Sequence, residues 1–250
     1  MDIENNVQLL EGERLDDLQY ENMRIIQKSG TFCFGMDAVL LADFAVCKKD
    51  SLVCDLGTGS GILPFLMYPR YRYGHMDAVE IQEDAADRAR RGVLLNGLEQ
   101  VISVHNADLR NIRSVLPGNR YDAVVCNPPY SKAGSALLAA GQEKMLARQD
   151  CTCALRDVFT TSAYLLGFHG KLYIVLPAAR SGELFSLAEE HGMQAKVIRF
   201  VHSYVHSPAR LILFCAMKGA SSGVNILPPL VTKNPDGNDS DEVKRIYHQI

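Results

Sequence analysis

The residues Ser51-Leu52-Val53-Cys54-Asp55-Leu56 make an apolar run that passes straight into Gly57-Thr58-Gly59-Ser60-Gly61 and then into a helical pattern from Ile62 to Tyr68. A strand, a glycine turn and a helix in that order place the chain among α/β sheets with buried parallel strands. Glycines at the turn permit positive φ and let a ligand approach the main chain, and the N–H groups at the start of the helix suit a carboxylate or a phosphate. The next apolar run, His75 to Ile81, carries Glu80 near its carboxyl end, 19 residues beyond Gly61. An acid at that place can accept from both hydroxyls of a ribose. This much fits any nucleoside-bearing cofactor.

The glycine spacing and the acid ahead of it narrow the choice. A nicotinamide site requires G-x-G-x-x-G, but position 62 is Ile, and Asp55 leads the turn, where a carboxylate is poorly placed beside a pyrophosphate. It is well placed beside an ammonium. The amino-acid end of S-adenosylmethionine carries both an ammonium and a carboxylate, so Asp55 can serve the first and the turn amides the second.

A further apolar run, Tyr121-Asp122-Ala123-Val124-Val125-Cys126, ends in Asn127-Pro128-Pro129-Tyr130. Two consecutive prolines fix their own φ and push Asn127 towards extended geometry, so the carbonyls after the strand point in set directions. The tetrapeptide offers an amide oxygen from Asn127, a rigid carbonyl at Pro128 and an aromatic face at Tyr130, which suit a planar group bearing an exocyclic NH₂. Adenine and a carboxamide both qualify. Between these motifs, Val101 to His105 reads as a strand ending in Asn106-Ala107-Asp108. Asp108 can accept from an adenine amino group, or simply cap a helix over Leu109 to Leu116.

With these residues in hand, the chain resembles the class I S-adenosylmethionine-dependent amino-methyltransferases in its series Asp55 to Gly61, Glu80, Asp108 and Asn127 to Tyr130. The stretch Gly30 to Phe44, with Val201-His202-Ser203 and Leu227-Pro228-Pro229-Leu230, is similar to the tRNA1(Val) adenine-N6-methyltransferase family, and the likeness runs from about Gln27 to the tail. It implies a doubly wound, Rossmann-like methyltransferase fold with a seven-stranded, mostly parallel sheet whose last strand is reversed. It also implies methyl transfer to the exocyclic nitrogen of an adenine beside the anticodon of a valine tRNA. The cofactor contacts it implies are Asp37, Asp55, Gly57, Thr58, Gly59, Gly61, Glu80, Ile81, Asp108, Leu109 and Asn127, with Asn127, Pro128, Pro129 and Tyr130 at the transfer itself. By the same likeness Asp37 opens a helix that closes over the methionine part of the cofactor. Read alone, Asp followed by Ala-Val-Leu-Leu-Ala is equally a helix N-cap. Three alternatives stay open: a protein glutamine-N5-methyltransferase, a DNA adenine methyltransferase, and a scaffold that binds cofactor or RNA without turnover.

At 250 residues with 47% hydrophobic content, one α/β domain is expected, with residues 1–50 as a lead-in, 51–219 as the core and 220–250 as a tail. No apolar run approaches the ~20 residues that span a bilayer, and no secretory leader is visible, so the reading places the chain in the cytoplasm without a membrane partner. Seven cysteines without a C-x-x-C pair read as reduced thiols, and His202 and His206 lack a carboxylate or thiol partner, so no metal is expected.

The pattern predicts helices over Asp84–Asn96, Leu155–Phe168, Ser181–His191 and Asp241–Gln249, and strands over Lys171–Leu176, Lys196–Val201 and Leu211–Met217. Residues 131–154 read as a substrate-facing loop and 232–241 as a mobile linker. A net charge of -3 and a pI near 6.2 do not announce a polyanion partner, so charge for tRNA must be local. Lys196, Arg199, His202, His206 and Arg210 form one candidate patch, and Lys48, Lys49, Arg70 and Arg72 another; Arg88, Arg90 and Arg91 read as the wet face of a helix.

Overall fold

The structure, a computed structural model, describes residues 2–3, 7–30, 35–129 and 155–248. Tyr130, the loop 131–154 and residues 31–34 of the similar N-terminal stretch lie outside the described residues. Two short strands, β1 (Asp2–Ile3) and β2 (Val7–Gln8), precede a hairpin of β3 (Glu13–Asp17) and β4 (Arg24–Lys28) and a helix α1 (Met36–Phe44). The alternating core follows: β5 (Leu52–Leu56), α2 (Ile62–Tyr71), β6 (His75–Glu80), α3 (Glu83–Leu95), β7 (Ile102–Asn106) and, after a 3₁₀ segment Leu109–Ser114, β8 (Tyr121–Cys126). Beyond it come α4 (Leu155–Leu165), β9 (Leu166–Pro177), α5 (Ser181–Glu190), β10 (Met193–His202), β11 (Ala209–Lys218), β12 (Asn225–Ile226), β13 (Leu230–Val231) and α6 (Asp241–Ile246).

The main sheet runs β12-β10-β11-β9-β8-β5-β6-β7, with β13 also on β10. Strands β5 to β9 pair in parallel, and β11 is antiparallel to both β9 and β10, which leaves β10 pointing the same way as β8. Seven strands with the last reversed match the expectation, and the tail adds two more at the β10 edge. Alternate residues of each strand feed two cores. Val53, Ala78, Val125 and Val175 face α1, α2 and α3, while Cys54, Val79, Val124 and Leu176 face α4 and α5.

Helix α3 ends where Gly97 at φ 64 closes a Schellman turn, its N–H donating to Leu94 O (3.1 Å) and that of Leu98 to Val93 O (3.0 Å). Its polar side corrects the sequence reading. Only Arg90 of the three arginines is exposed: Arg88 is buried, and Arg91 meets both Glu13 oxygens at 2.7 Å because the β3–β4 hairpin covers that side.

Three other expectations change. Helix α4 stops at Leu165, because Leu166 already pairs with Tyr121 and begins β9; Phe168 is therefore exposed on a strand. The cap of α1 is Gly35, and Asp37 sits inside the first turn with Oδ1 accepting from Ala38 N–H (3.0 Å), still favoured there by the helix dipole. Residues 232–241, expected as a mobile linker, instead hold a bonded turn over 232–240 and the first residue of α6. Ser240 N–H reaches Thr232 O (3.0 Å), Asn234 N–H reaches Asn238 O (2.8 Å), and Lys233 pairs with Asp239 (2.8 Å). Ser240 then caps α6, which ends at Ile246.

Helices α2 and α3 meet over Phe65, which is fully buried between two glycines. A Cβ at Gly61 would lie 2.8 Å from its ring and one at Gly92 2.9 Å. Alanine inside a helix normally gains about 1 kcal/mol over glycine. At Gly92 the clash reverses that sign: Gly92→Ala should destabilise by about 1–3 kcal/mol, seen as a lower urea midpoint, whereas a higher midpoint would show that the Phe65 ring is free to move.

Candidate functional site

The carboxyl ends of β8, β5, β6 and β7 stand side by side, and the Asp55 turn, Glu80, Asp108 and Asn127-Pro128-Pro129 lie on or just beyond them. Asp55 pairs with Ala78 on one side and Val125 on the other, so Gly57, Glu80 and Asn127 follow at one level of the sheet. Glu80 in turn pairs with Asn106, two residues before Asp108. This is the crevice in which open α/β sheets hold ligands.

The turn between β5 and α2 is stitched to β6. The N–H groups of Gly57 and Thr58 both donate to Val79 O (2.9 and 3.0 Å), and that of Gly61 to Thr58 O (3.0 Å). The Glu80 carboxylate bridges two amides, accepting from Gly59 N–H at Oε2 and Gln82 N–H at Oε1, both at 2.9 Å. Gly57, Gly59 and Gly61 all have positive φ. Among the described residues a Cβ at Gly57 or Gly59 would meet nothing within 4 Å, so open space lies against this backbone. Glu80 therefore shapes the loop as well as facing the crevice. Asn106 Nδ2 holds the end of β6 in place by donating to the carbonyls of Glu80 and Ile81, each at 3.0 Å.

Asp55 is 0% exposed, and among the described residues neither of its carboxylate oxygens has a hydrogen-bond partner. Burial pushes its pKa up to about 7; the nearby Thr58 hydroxyl pulls it back in part, and Glu80 adds to the rise. The Thr58 hydroxyl is itself buried and, among the described residues, closes no hydrogen bond with good geometry. A buried carboxylate without a partner is costly unless a cation or donor reaches it. The ammonium of S-adenosylmethionine is such a group, so the residues fit that cofactor.

Arg88 is the contributor that the sequence reading missed. Its guanidinium reaches Ser60 Oγ from α3 at 3.3 Å, bracing the turn from beneath. Asp108 realises the plainer of its two readings: it caps the 3₁₀ segment through Arg110 N–H (2.9 Å), and Arg110 Nε sits 2.8 Å from its Oδ2. That guanidinium holds the Asp108 carboxyl below the usual carboxylate range. Ile81 is 53% exposed beside Glu80, and Leu109 packs partly against the core. Asn127 and Pro128 are half-buried, and Pro129 is exposed.

The expected basic patches divide. Arg199 is tied inward, to Glu242 (2.7 Å) and Pro228 O (3.0 Å), and Lys196 to Ser221 O (3.2 Å). Arg70 binds Ile246 O (2.9 Å) and Arg72 pairs with Glu21, so both serve to hold the terminal segments. His202 and Arg210, by contrast, line a cleft of ≈ 240 Å³ with Met36, Asp37, Val201, Ser203, Leu211 and Thr232. Among the described residues, no three His, Cys, Asp or Glu side chains are placed to hold a metal, and no helix is long and apolar enough to cross a membrane.

Residues 22–183 match the methyltransferase small domain family. The chain belongs to that family. It is 28% identical over 179 residues to the tRNA1(Val) (adenine(37)-N6)-methyltransferase of Photobacterium profundum, covering 71% of this chain and 74% of that one. To the protein of the same name from Cronobacter sakazakii it is 33% identical over 165 residues, 65% of this chain and 66% of that one. The solved structure of a predicted O-methyltransferase from Agrobacterium tumefaciens shares the fold, with a TM-score of 0.68 at 20% identity over 85% of this chain and 95% of the other. As in other members of this methyltransferase family, the donor fitted by the crevice is S-adenosylmethionine.

The raised pKa of Asp55 gives a prediction with a definite sign. Its folded pKa of about 7 lies above the ordinary 3.8, so ionising it costs the folded state. The penalty begins as pH rises past the unfolded value and is complete above the folded one. Asp55→Asn should therefore raise the thermal midpoint of the ligand-free protein at pH 8 relative to wild type. The same change should weaken S-adenosylmethionine binding by about 10–100-fold and flatten its pH dependence near 7 in calorimetry. Unchanged affinity would remove the ammonium partner assigned to this carboxylate.

Proposed function

We propose that this chain transfers the methyl group of S-adenosylmethionine to the exocyclic N6 of an adenine in tRNA, in the anticodon loop of a valine tRNA. The observation that carries the reading is the placing of Asn127-Pro128 one strand away from the Asp55 turn and at its level, an acceptor pair for an NH₂ group beside the cofactor crevice. The names of the relatives supply the nucleic acid and the position.

In this reading Asp55 takes the cofactor ammonium, the Gly57–Gly61 turn lies along the methionine part, and Glu80 takes the ribose; the turn amides expected to hold the cofactor carboxylate are bonded within the protein at Gly57, Thr58, Gly59 and Gly61. Ile81 and Leu109 flank the adenine, and Asp108 accepts its amino group only by exchanging one of the Arg110 contacts. Asp37 lines the cleft at the start of α1, and by the family resemblance its helix would close over the methionine part. When bound, S-adenosylmethionine supplies an electrophilic methyl group on a sulfonium.

An adenine amine is a weak nucleophile because its lone pair is delocalised into the ring. Acceptors on both of its N–H groups, the Asn127 amide oxygen and the Pro128 carbonyl, favour a pyramidal nitrogen with the lone pair free to attack. The same acceptors face the positive charge that develops on that nitrogen. The stiffness of the double proline keeps them aimed without reorganisation. Tyr130 is assigned to stack on the base, and a base in a loop is cheaper to present than one in a paired stem.

The test is incubation with methyl-labelled S-adenosylmethionine and, separately, unmodified tRNA, DNA and a release factor, followed by nucleoside and peptide mass spectrometry. Labelled N6-methyladenosine in tRNA supports the reading; label only on a glutamine or in DNA replaces it. Asn127→Ala should lower kcat by about 10²–10³-fold while leaving cofactor affinity within a few-fold. Equal loss of both would make Asn127 part of the cofactor site's architecture.

A further inference from the structure

The turn between β10 and β11 lies at the same edge of the sheet as Asn127, because β10 runs parallel to β8. It is held by hydrogen bonds both within the turn and from the tail. Ser207 donates to Tyr204 O through both its N–H (3.0 Å) and its hydroxyl (2.8 Å), and Tyr204 N–H lies 2.9 Å from that same hydroxyl oxygen. His202 Nδ1 is 2.7 Å from Ser207 O, which closes the base of the turn. From outside, the tail clamps it: Thr232 N–H donates to His202 O (2.8 Å) and Lys233 N–H to Ser203 O (2.9 Å).

This rigid frame holds up an aromatic ring. Tyr204 is 47% exposed and Val205 68% exposed at the tip. Around them stand His206, the Lys233 ammonium, which feels the Tyr204 hydroxyl and is paired with Asp239, and Arg210. Arg199, Arg72 and Arg91 are neutralised by carboxylates, but Arg210 is exposed and meets only Ser203 Oγ (3.4 Å) among the described residues. Behind Arg210 the cleft runs past His202 to Met36 and Asp37 at the start of α1. Three strand spacings separate β10 from β8, about 14 Å, a distance that one folded-back RNA loop covers.

We infer that the β10–β11 turn is a recognition platform for single-stranded RNA, with Tyr204 stacking on an unpaired base next to the target adenine and Arg210 meeting its phosphate. An aromatic face beside a cation is the arrangement by which proteins hold unstacked bases in loops. Preorganisation matters because a ring on a floppy loop would lose much of the stacking energy in becoming ordered. The inference rests on the tRNA reading above and adds to it the residues that select a loop over a helix.

The experiment pairs a binding measurement with a turnover measurement. Fluorescence anisotropy with a labelled, unmodified tRNA transcript is run on wild type, Tyr204→Ala, Tyr204→Phe and Arg210→Gln. Methylation kinetics and S-adenosylmethionine calorimetry use the same proteins. Tyr204→Ala should weaken tRNA binding and raise KM for tRNA about tenfold, with cofactor affinity unchanged and Tyr204→Phe close to wild type. Arg210→Gln should reduce the slope of log affinity against log salt by about 1. Unaltered tRNA binding in Tyr204→Ala overturns the platform, as does a loss that Phe fails to restore or that cofactor affinity shares. If wild type binds tRNA through Tyr204 yet methylates none, the platform stands and the proposed reaction falls.

Discussion

Three backbone amides and one carboxylate hold this site in shape. Gly57 and Thr58 hang from the carbonyl of Val79, and Gly59 hangs from Glu80, so the turn after β5 is fastened to the end of β6 rather than left as a free loop. The fastening needs positive φ at successive glycines. It also needs α3 close beneath, and that approach is made by Phe65 lying between Gly61 and Gly92. Loop, strand and helix thus depend on one another at a single point. The opening beside the turn lies against Gly57 and Gly59, which carry no side chain.

What this fastening leaves unsatisfied is the carboxylate of Asp55. Its neighbours on the sheet are apolar, and the groups that could have neutralised it are committed elsewhere: the loop amides to β6 and Arg88 to Ser60. A protein that buries a carboxylate in this way holds free energy in reserve for a cation. Ligand-free stability and ligand affinity are then opposed at one residue.

The core of this arrangement was legible in the sequence because its signals are local. Apolar runs ending in glycine, Glu80, Asn106 and Asn127 mark strand ends whatever surrounds them, while the reversed last strand was implied by the family resemblance and not by these signals. Errors arose where a distant segment covers a surface. Arg88 and Arg91 read as solvated because nothing near them in sequence announces that Glu13 and the first hairpin pack on α3. Arg199 read as a nucleic-acid contact because the strands that enclose it, β12 and β13, are two residues each and carry no periodic signal. The junction at Leu165–Leu166 fits helix and strand alike until Tyr121 claims it as a partner. In the turn over 232–240, polar composition suggested motion, but the backbone there bonds to itself.

One property of the sheet order bears on how the edge with the Tyr204 turn comes into being. Every strand that pairs with β10, namely β11, β12 and β13, follows it in the chain. Until β11 is in place, β10 has no neighbour to dock on, and β11 is the piece that joins it to β9. The last two long strands therefore form a hairpin that reaches the rest of the sheet through β11. They form one structural unit at the rim of the fold, whose amides are expected to open to hydrogen exchange together while the five parallel strands stay closed.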